Sequence, residues 1–269
     1  MDIIQKKDID FSKLEKMPHN GVNSDIYIDG DKCIKIFKGL PDIEKYCIQE
    51  KFSDMEGIKI KNALLPNGLI IEDGKLEGTV TDYFKNSQTF YNHFLSGQYV
   101  DVKKMFAAVK EASLILREIH ENGIICQDLN FDNIFIDNNG VVKYVDFEGC
   151  SFGENNAGCI SLLIKRYLID YKKAKLLLVS KRLDRVSLFL SFIVIGYLKE
   201  LQKLNYKQYH ALSDQFKTFD NMRYHGNLLL ERGNYIPDVP YLDELIDDND
   251  EGYINRANQI SFVKKLFMR

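Results

Sequence analysis

The sequence lacks the features of a secreted, membrane-spanning or nucleic-acid-binding protein. Its five cysteines form no C-x-x-C pair, which favours reduced thiols over a disulfide framework. The longest apolar run, residues 186–198, is too short to cross a bilayer and predicts a buried helix, and the N-terminus lacks the apolar core of a secretory signal. A net charge of −3 gives no electrostatic footprint for nucleic acid. We therefore expect a cytoplasmic protein with no membrane span and no nucleic-acid partner, although delivery into another cell would leave no recognisable mark.

What remains is the composition of an ordinary globular protein. The 269 residues are 45% hydrophobic and 28% charged, which suits one large domain or two lobes. The chain has no internal repeat, low-complexity tract or zinc-like cluster. Evidence of function must therefore come from individual motifs.

The most informative stretch is a predicted β-hairpin with acidic and amide side chains at both ends. Two short apolar runs are separated by Asn139-Gly140, a pair that favours a turn with positive φ. Asp128 and Asn133 precede the hairpin and Asp146 follows it, so these three residues should converge at one edge. Converging oxygen ligands suit a hard divalent cation such as Mg²⁺. The simpler alternative is an acidic hairpin whose aspartates only favour its turns.

The order D-L-x-x-x-N, hairpin, D-F-x-G resembles the catalytic and metal loops of the protein-kinase-like superfamily. The resemblance implies that Asp128 is the base and that Asn133 and Asp146 hold Mg²⁺. It further implies an α+β, bilobal fold with ATP bound between the lobes. The expected lobes are a small antiparallel β-sheet lobe (residues 1–84) and a larger, mainly helical catalytic lobe (residues 85–269).

Several residues depart from the pattern of that family. Gln127 replaces the Arg that often grips a phosphorylated activation loop, so we expect activity that does not wait on such phosphorylation. Asn130 replaces a common Lys and brings no positive charge to the transferred phosphoryl group. Glu148 stands where the D-F-G motif has its Gly, and the tripeptide A-P-E is absent.

The N-terminal third predicts a five-stranded antiparallel sheet with one helix. Lys35 lies in the middle of an apolar strand, where the family places its catalytic, ATP-anchoring lysine. Such a lysine needs a carboxylate partner. The next helix, predicted over residues 42–56, offers Glu50 and Glu44, and the distance from Glu50 to the following strand fits the family better.

The resemblance places the other nucleotide contacts in two segments. The reduced glycine loop keeps Gly21, with Ser24 nearby, to lay backbone N–H groups over phosphates. The hinge that binds adenine maps to residues 81–84, with Asp82 and Phe84 as contacts and Thr81 at the back of the pocket.

A long amphipathic helix is predicted over residues 101–122, with Gly123 as its stop. His120 in its last turn is expected to be structural. Asp184 resembles the aspartate that braces the backbone of the catalytic loop, and a helix N-cap is the alternative for it.

Three functions are compatible with these residues. The favoured one is an ATP- and Mg²⁺-dependent protein serine/threonine kinase of small, divergent bacterial type, acting on a protein substrate. A second is a small-molecule kinase akin to aminoglycoside or choline phosphotransferases. The third is a pseudokinase that serves as a binding module.

Overall fold

The computed structural model describes residues 1–18, 23–95 and 102–153, together with residues 181, 184, 185, 187 and 188. Within these ranges the protein combines β-strands, three α-helices and short 3₁₀ turns, which confirms the predicted α+β class. The predicted phosphate-loop glycine, Gly21, lies outside the described residues, as does most of the predicted buried helix over 186–198.

Six strands form the largest sheet: β1 (Asp2–Gln5), β2 (Glu15–Lys16), β3 (Ser24–Asp29), β4 (Lys32–Phe37), β5 (Gly68–Glu72) and β6 (Lys75–Asp82). Their order is β1-β5-β6-β4-β3-β2, and every pair is antiparallel except β1 with β5. The prediction of five antiparallel strands was therefore wrong in number and in one direction. The sequence DIIQ of β1 is too short to be recognised alone, and it becomes a strand by pairing along β5.

Helix α1 (Asp42–Asp54) follows Pro41 and ends before Gly57, whose φ of 87° fits a helix stop. These bounds agree with the helix predicted there. Its buried residues are Ile48, Lys51 and Phe52, and the helix packs on β6 of the sheet. A lysine is thus part of the face that α1 presents to the interior.

Helix α2 (Phe90–Leu95) is short, and α3 (Val102–Glu121) is the predicted amphipathic helix. The residues of its apolar stripe are all 3% exposed or less: Met105, Val109, Ala112, Leu116 and Ile119. Gly123 follows with a φ of 78°, as a helix stop requires. Burial of this stripe, rather than helix propensity, is what stabilises a helix of this kind.

Five short strands form two further sheets: β7 (Ser87–Thr89), β8 (Ile124–Ile125), β9 (Ile134–Asp137), β10 (Val142–Tyr144) and β11 (Ser151–Phe152). The hairpin β9–β10 is antiparallel as predicted, β7 pairs on the other side of β9, and β11 pairs with β8. At the hairpin turn Gly140 has a φ of 84°, and the Asp137 carboxylate accepts the backbone N–H groups of Asn139 and Val141. Asp137 therefore stabilises the turn.

Tyr144 anchors the hairpin to its surroundings. Its hydroxyl donates to the carbonyl of Ala112 on α3 at 2.9 Å, and its backbone N–H donates to the carbonyl of Asn62 at 2.9 Å. Its own carbonyl accepts the N–H of Leu64 at 2.8 Å. Strand β10 is thereby held in place immediately before Asp146.

One hydrophobic cluster joins the large sheet, α1, α3 and the hairpin. It contains Phe37 and Leu69 from the sheet, Phe52 from α1, Leu116 from α3 and Ile136 from the hairpin. This cluster therefore connects the large sheet to α1, α3 and the hairpin, and a smaller, separate cluster contains Ile34, Ile70 and Val80. No helix within the described ranges is long and apolar enough to cross a membrane.

Candidate active site

The loops at the two ends of the hairpin meet at Asn133. Its side-chain Nδ2 donates to the backbone carbonyl of Asp128 at 2.8 Å, and its backbone carbonyl accepts the N–H of Val145 at 3.0 Å. Because Val145 directly precedes Asp146, Asn133 connects the two acidic loops. The first bond uses the amide nitrogen, which leaves Oδ1 as the atom of Asn133 suited to a cation. The two loops that carry Asp128, Asn133 and Asp146 therefore lie next to each other.

Two residues of these loops have the left-handed backbone conformation. Gln127 has a φ of 57°, and Asp146 has a φ of 65° with a ψ of 64°. This conformation costs an ordinary L-residue on the order of 1–2 kcal/mol, and such residues concentrate at functional sites. One of them precedes the candidate base and the other is the candidate metal ligand.

Asp184 stabilises the strained backbone before Asp128. Its carboxylate accepts the N–H of Cys126 at 2.6 Å and that of Gln127 at 2.8 Å. The same carboxylate lies 2.9 Å from Nε2 of His120, and both side chains are 1% exposed or less. The predicted bracing role of Asp184 and the structural role of His120 are confirmed. The N-cap alternative falls on residues outside the described ranges.

Lys35 on β4 lies between two carboxylates of the loop after the hairpin. Its Nζ is 2.7 Å from Oδ1 of Asp146 and 3.1 Å from Oε2 of Glu148. The other oxygen of Glu148 accepts the hydroxyl of Thr79 at 2.8 Å. Thr79 faces Lys35 across the β4–β6 pairing, so the strand register itself delivers both partners of Glu148.

The predicted partners of Lys35 on α1 do not reach it. Glu44 and Glu50 are both exposed, and the carboxylates paired with Lys35 are those of Asp146 and Glu148. The assignment of Glu50 to Lys35 was therefore wrong. Consecutive helix positions point about 100° apart, and α1 is rotated so that Lys51, not Glu50, faces inward.

Lys51 is the residue that α1 contributes to the site instead. Only 1% exposed, its Nζ donates to the carbonyl of Glu148 at 2.6 Å and to that of Cys150 at 2.8 Å. No role could be predicted for Lys51 or Thr79 from the sequence, and Glu148 was expected only as a departure from the family pattern. The available signals were the apolar neighbours of Lys51 in α1 and the position of Thr79 opposite Lys35.

The three charged groups perturb one another strongly. Burial raises the pKa of Asp146 to about 7, the Lys35 ammonium opposes this shift, and the nearby Glu148 adds to it. Burial would also raise the pKa of Glu148, but Lys35 and hydrogen bonds from Asp146 and Thr79 lower it to about 2. The Asp146 side chain is 42% exposed, so water relieves part of its shift. The surroundings of Glu148 therefore lower its pKa and favour its ionised form beside Lys35.

The remaining predicted nucleotide contacts have structural partners. The Ser24 side chain is 1% exposed, so contact with a phosphate there would have to come from the backbone. The Asp82 carboxylate accepts Lys32 at 2.7 Å and Asn67 at 2.8 Å. The ring of Phe84 lies under the ammonium of Lys143 at 4.7 Å. The roles proposed for Ser24, Asp82 and Phe84 in nucleotide binding stay predictions.

The donor atoms near the hairpin fit a hard cation. Asp146 offers carboxylate oxygens, and Asn133 offers an amide oxygen. No group of three or more His, Cys, Asp or Glu residues that could hold a metal occurs among the described residues. Mg²⁺ is typically bound through one or two carboxylates, water and substrate phosphates. The residues present therefore suit a cation that is bound together with a nucleotide.

The chain is similar over part of its length to a known protein kinase. A protein kinase C of Drosophila melanogaster, the eye isozyme, is 38% identical over 68 residues. The match covers 25% of this chain and 10% of that kinase. No family model matches the chain. The similarity supports a kinase relationship in outline and does not extend to a particular kinase type.

Proposed function

We propose that this protein is an ATP- and Mg²⁺-dependent phosphotransferase with a bilobal, kinase-like arrangement, and that it acts as a protein serine/threonine kinase. The observation that carries the proposal is the ion-paired Lys35 on the sheet facing Asp146, next to the Asp128–Asn133 loop. The change from the large sheet to the hairpin sheet between β6 and β7 supports a lobe boundary near residue 84.

In this mechanism each residue positions one group. Lys35 binds the α- and β-phosphates and fixes their orientation. Asp128, on a loop held by Asp184, orients the acceptor hydroxyl and receives its proton. Asn133 and Asp146 would hold Mg²⁺, which supplies charge neutralisation at the phosphate oxygens. Alignment and charge stabilisation account for most of the rate gain in reactions of this kind.

The test is incubation of the purified protein with radiolabelled ATP and Mg²⁺, followed by gel and thin-layer separation. We expect Asp146→Ala to abolish transfer with the fold kept, and Asp128→Asn to lower the rate about a hundredfold or more. Asp146→Asn is a second variant, because Asn tolerates the left-handed backbone at this position. Asp132→Asn, an exposed carboxylate in the same loop, is the matched control and should keep full activity.

The outcomes separate the candidate functions. Label on a protein that is lost in Asp146→Ala supports the protein kinase. Label found only on small molecules of a cell extract would replace it with a small-molecule kinase. No transfer, together with equal thermal stabilisation by ATP with and without Mg²⁺, would replace it with a pseudokinase. Full activity of Asp146→Ala or Asp128→Asn would refute the role assigned to that residue.

A further inference from the structure

The segment that follows Asp146 is fixed from three directions. Lys51 binds its backbone carbonyls from α1, as described above. Lys35 and Thr79 bind the Glu148 side chain from the sheet. Strand β11 pairs with β8, so that Ser151 lies opposite Ile125. Residues 147–152 are thereby attached to the sheet, to α1 and to the strand that leads into the Asp128 loop.

The two carboxylates next to Lys35 differ in how firmly they are held. Asp146 is 42% exposed, and its role at the metal requires it to turn towards a cation. Glu148 is 12% exposed and has both oxygens engaged, one with Lys35 and one with Thr79. Only Glu148 can therefore remain with Lys35 when Asp146 is engaged elsewhere.

We infer that Glu148 is the permanent anchor of Lys35, and that Lys51 is a positioning residue that holds Glu148 in place through its backbone. The inference rests on the proposed function, because its consequence is the orientation of Lys35 towards nucleotide phosphates. The arrangement expected from the sequence had a carboxylate of α1 as the partner of Lys35. In the structure the loop supplies that carboxylate, Glu148, and α1 supplies the positively charged Lys51 that binds the loop. The anchor of Lys35 consequently does not depend on a carboxylate of α1.

The buried position of Lys51 supports this role. An ammonium that is 1% exposed has lost its hydration, and such a group is retained only where hydrogen bonds compensate for it. Two of those bonds go to the same short segment, at Glu148 and Cys150. A methionine would fill a similar volume but would release both carbonyls.

The first experiment compares thermal stabilisation by ADP and by adenosine, since only ADP carries the phosphates that Lys35 would bind. The ADP-specific stabilisation is the rise in melting temperature with ADP minus the rise with adenosine. In Glu148→Gln we expect this difference to fall to near zero while the stabilisation by adenosine is kept. The KM for ATP should rise roughly tenfold, the change expected for loss of one charged hydrogen bond. Glu50→Gln and Glu44→Gln, exposed carboxylates of α1, are the matched controls and should match wild type.

The second experiment addresses Lys51. Lys51→Met should lose the ADP-specific stabilisation, and Lys51→Arg should recover part of it because a guanidinium can still donate to both carbonyls. Lys45→Met is the control on the same helix: it removes a lysine that binds Glu77 and should lower the melting temperature without affecting the difference between ADP and adenosine. Equal loss of that difference in both methionine variants would contradict a specific role for Lys51.

A double-mutant cycle tests the pair without any nucleotide. Lys35→Met and Glu148→Gln should each destabilise the protein to urea, and the double variant should lose less than the sum. Additive losses would contradict the pairing. If ADP stabilises the wild-type protein against heat no more than adenosine does, the proposed function itself fails. If ADP gives the wild-type protein additional stabilisation and gives Glu148→Gln the same amount, only the present inference is overturned.

Discussion

Lys35 has two carboxylate neighbours, although one would suffice to fix its position. The pair with Glu148 is the more enclosed of the two, and Glu148 also accepts a hydrogen bond from Thr79. A lysine at this position could be predicted from its place in an apolar strand. Its partner could not be predicted, because the 113-residue separation between Lys35 and Glu148 is closed only by the tertiary fold.

The cysteines provide a chemical test of the described burial. Cys47 is exposed, Cys33 is partly exposed, and Cys126 and Cys150 are buried. Burial raises the pKa of Cys150 to about 12 and that of Cys126 well above its ordinary value. Since the thiolate is the reactive form, a raised pKa lowers its fraction at pH 8.

We therefore expect iodoacetamide at pH 8 to alkylate Cys47 first, Cys33 more slowly, and Cys126 and Cys150 only after unfolding. Peptide mass spectrometry at timed intervals measures each site separately. Labelling in urea is the control for intrinsic reactivity. Rapid alkylation of Cys150 in the folded protein would contradict its burial.

A close contact between strands β4 and β6 explains why Gly78 has no side chain. A Cβ at this position would lie 2.2 Å from the carbonyl oxygen of Lys35, which is backbone and has no freedom to move aside. We expect Gly78→Ala to destabilise the protein by about 1–3 kcal/mol, as overpacked sites do, and to weaken ADP-specific stabilisation by shifting Lys35. Urea denaturation and thermal shift measure the two effects.

The matched control for this prediction is Gly30→Ala. Gly30 has a φ of 58°, and a Cβ at this position would meet no other atom within 4 Å, so alanine there adds backbone strain without a clash. It lies at the β3–β4 turn of the same sheet, and its variant should keep the ADP-specific stabilisation. Equal effects of the two variants would contradict the importance of the contact at Lys35.

The loop before Asp128 depends on Asp184. Replacing Asp184 by Ala leaves the N–H groups of Cys126 and Gln127 without their acceptor in the interior, and each unsatisfied group costs about 1–3 kcal/mol. We expect Asp184→Ala to be strongly destabilised and Asp184→Asn, which can still accept, to be intermediate. Urea denaturation measures both, and a wild-type midpoint for Asp184→Ala would contradict the bracing role.

Several elements could be predicted because their signals are local. The apolar periodicity of α3 and the Asn139-Gly140 turn depend only on residues close together in the sequence, and the structure contains both the helix and the hairpin. Strand β1 and the inward face of α1 could not be predicted, since both depend on what packs against them. Glu50, predicted to face the site, and Lys51, which does face it, are neighbours in α1 and point about 100° apart.

The hydrophobic cluster that joins the large sheet, α1, α3 and the hairpin predicts that these elements unfold cooperatively. Leu116 on α3 is fully buried in that cluster, whereas Leu114 on the same helix is 39% exposed. We expect Leu116→Ala to cost about 2–5 kcal/mol and Leu114→Ala to have little effect. Native-state hydrogen exchange should show β6 and β9 losing protection together in Leu116→Ala. Loss confined to β9 would indicate two independent folding units.

The attachment of residues 147–152 has a pharmacological consequence. Phe147 is 3% exposed and directly precedes Glu148. Moving Phe147 out of its pocket would therefore also break the hydrogen bond from Lys51 to the Glu148 carbonyl and the one from Thr79 to the Glu148 carboxylate. A ligand that needs that pocket empty must compensate for all of these losses before it gains affinity. A chemical screen against this protein should therefore select compounds that bind beside the exposed Asp146 carboxylate and leave Phe147 where it is.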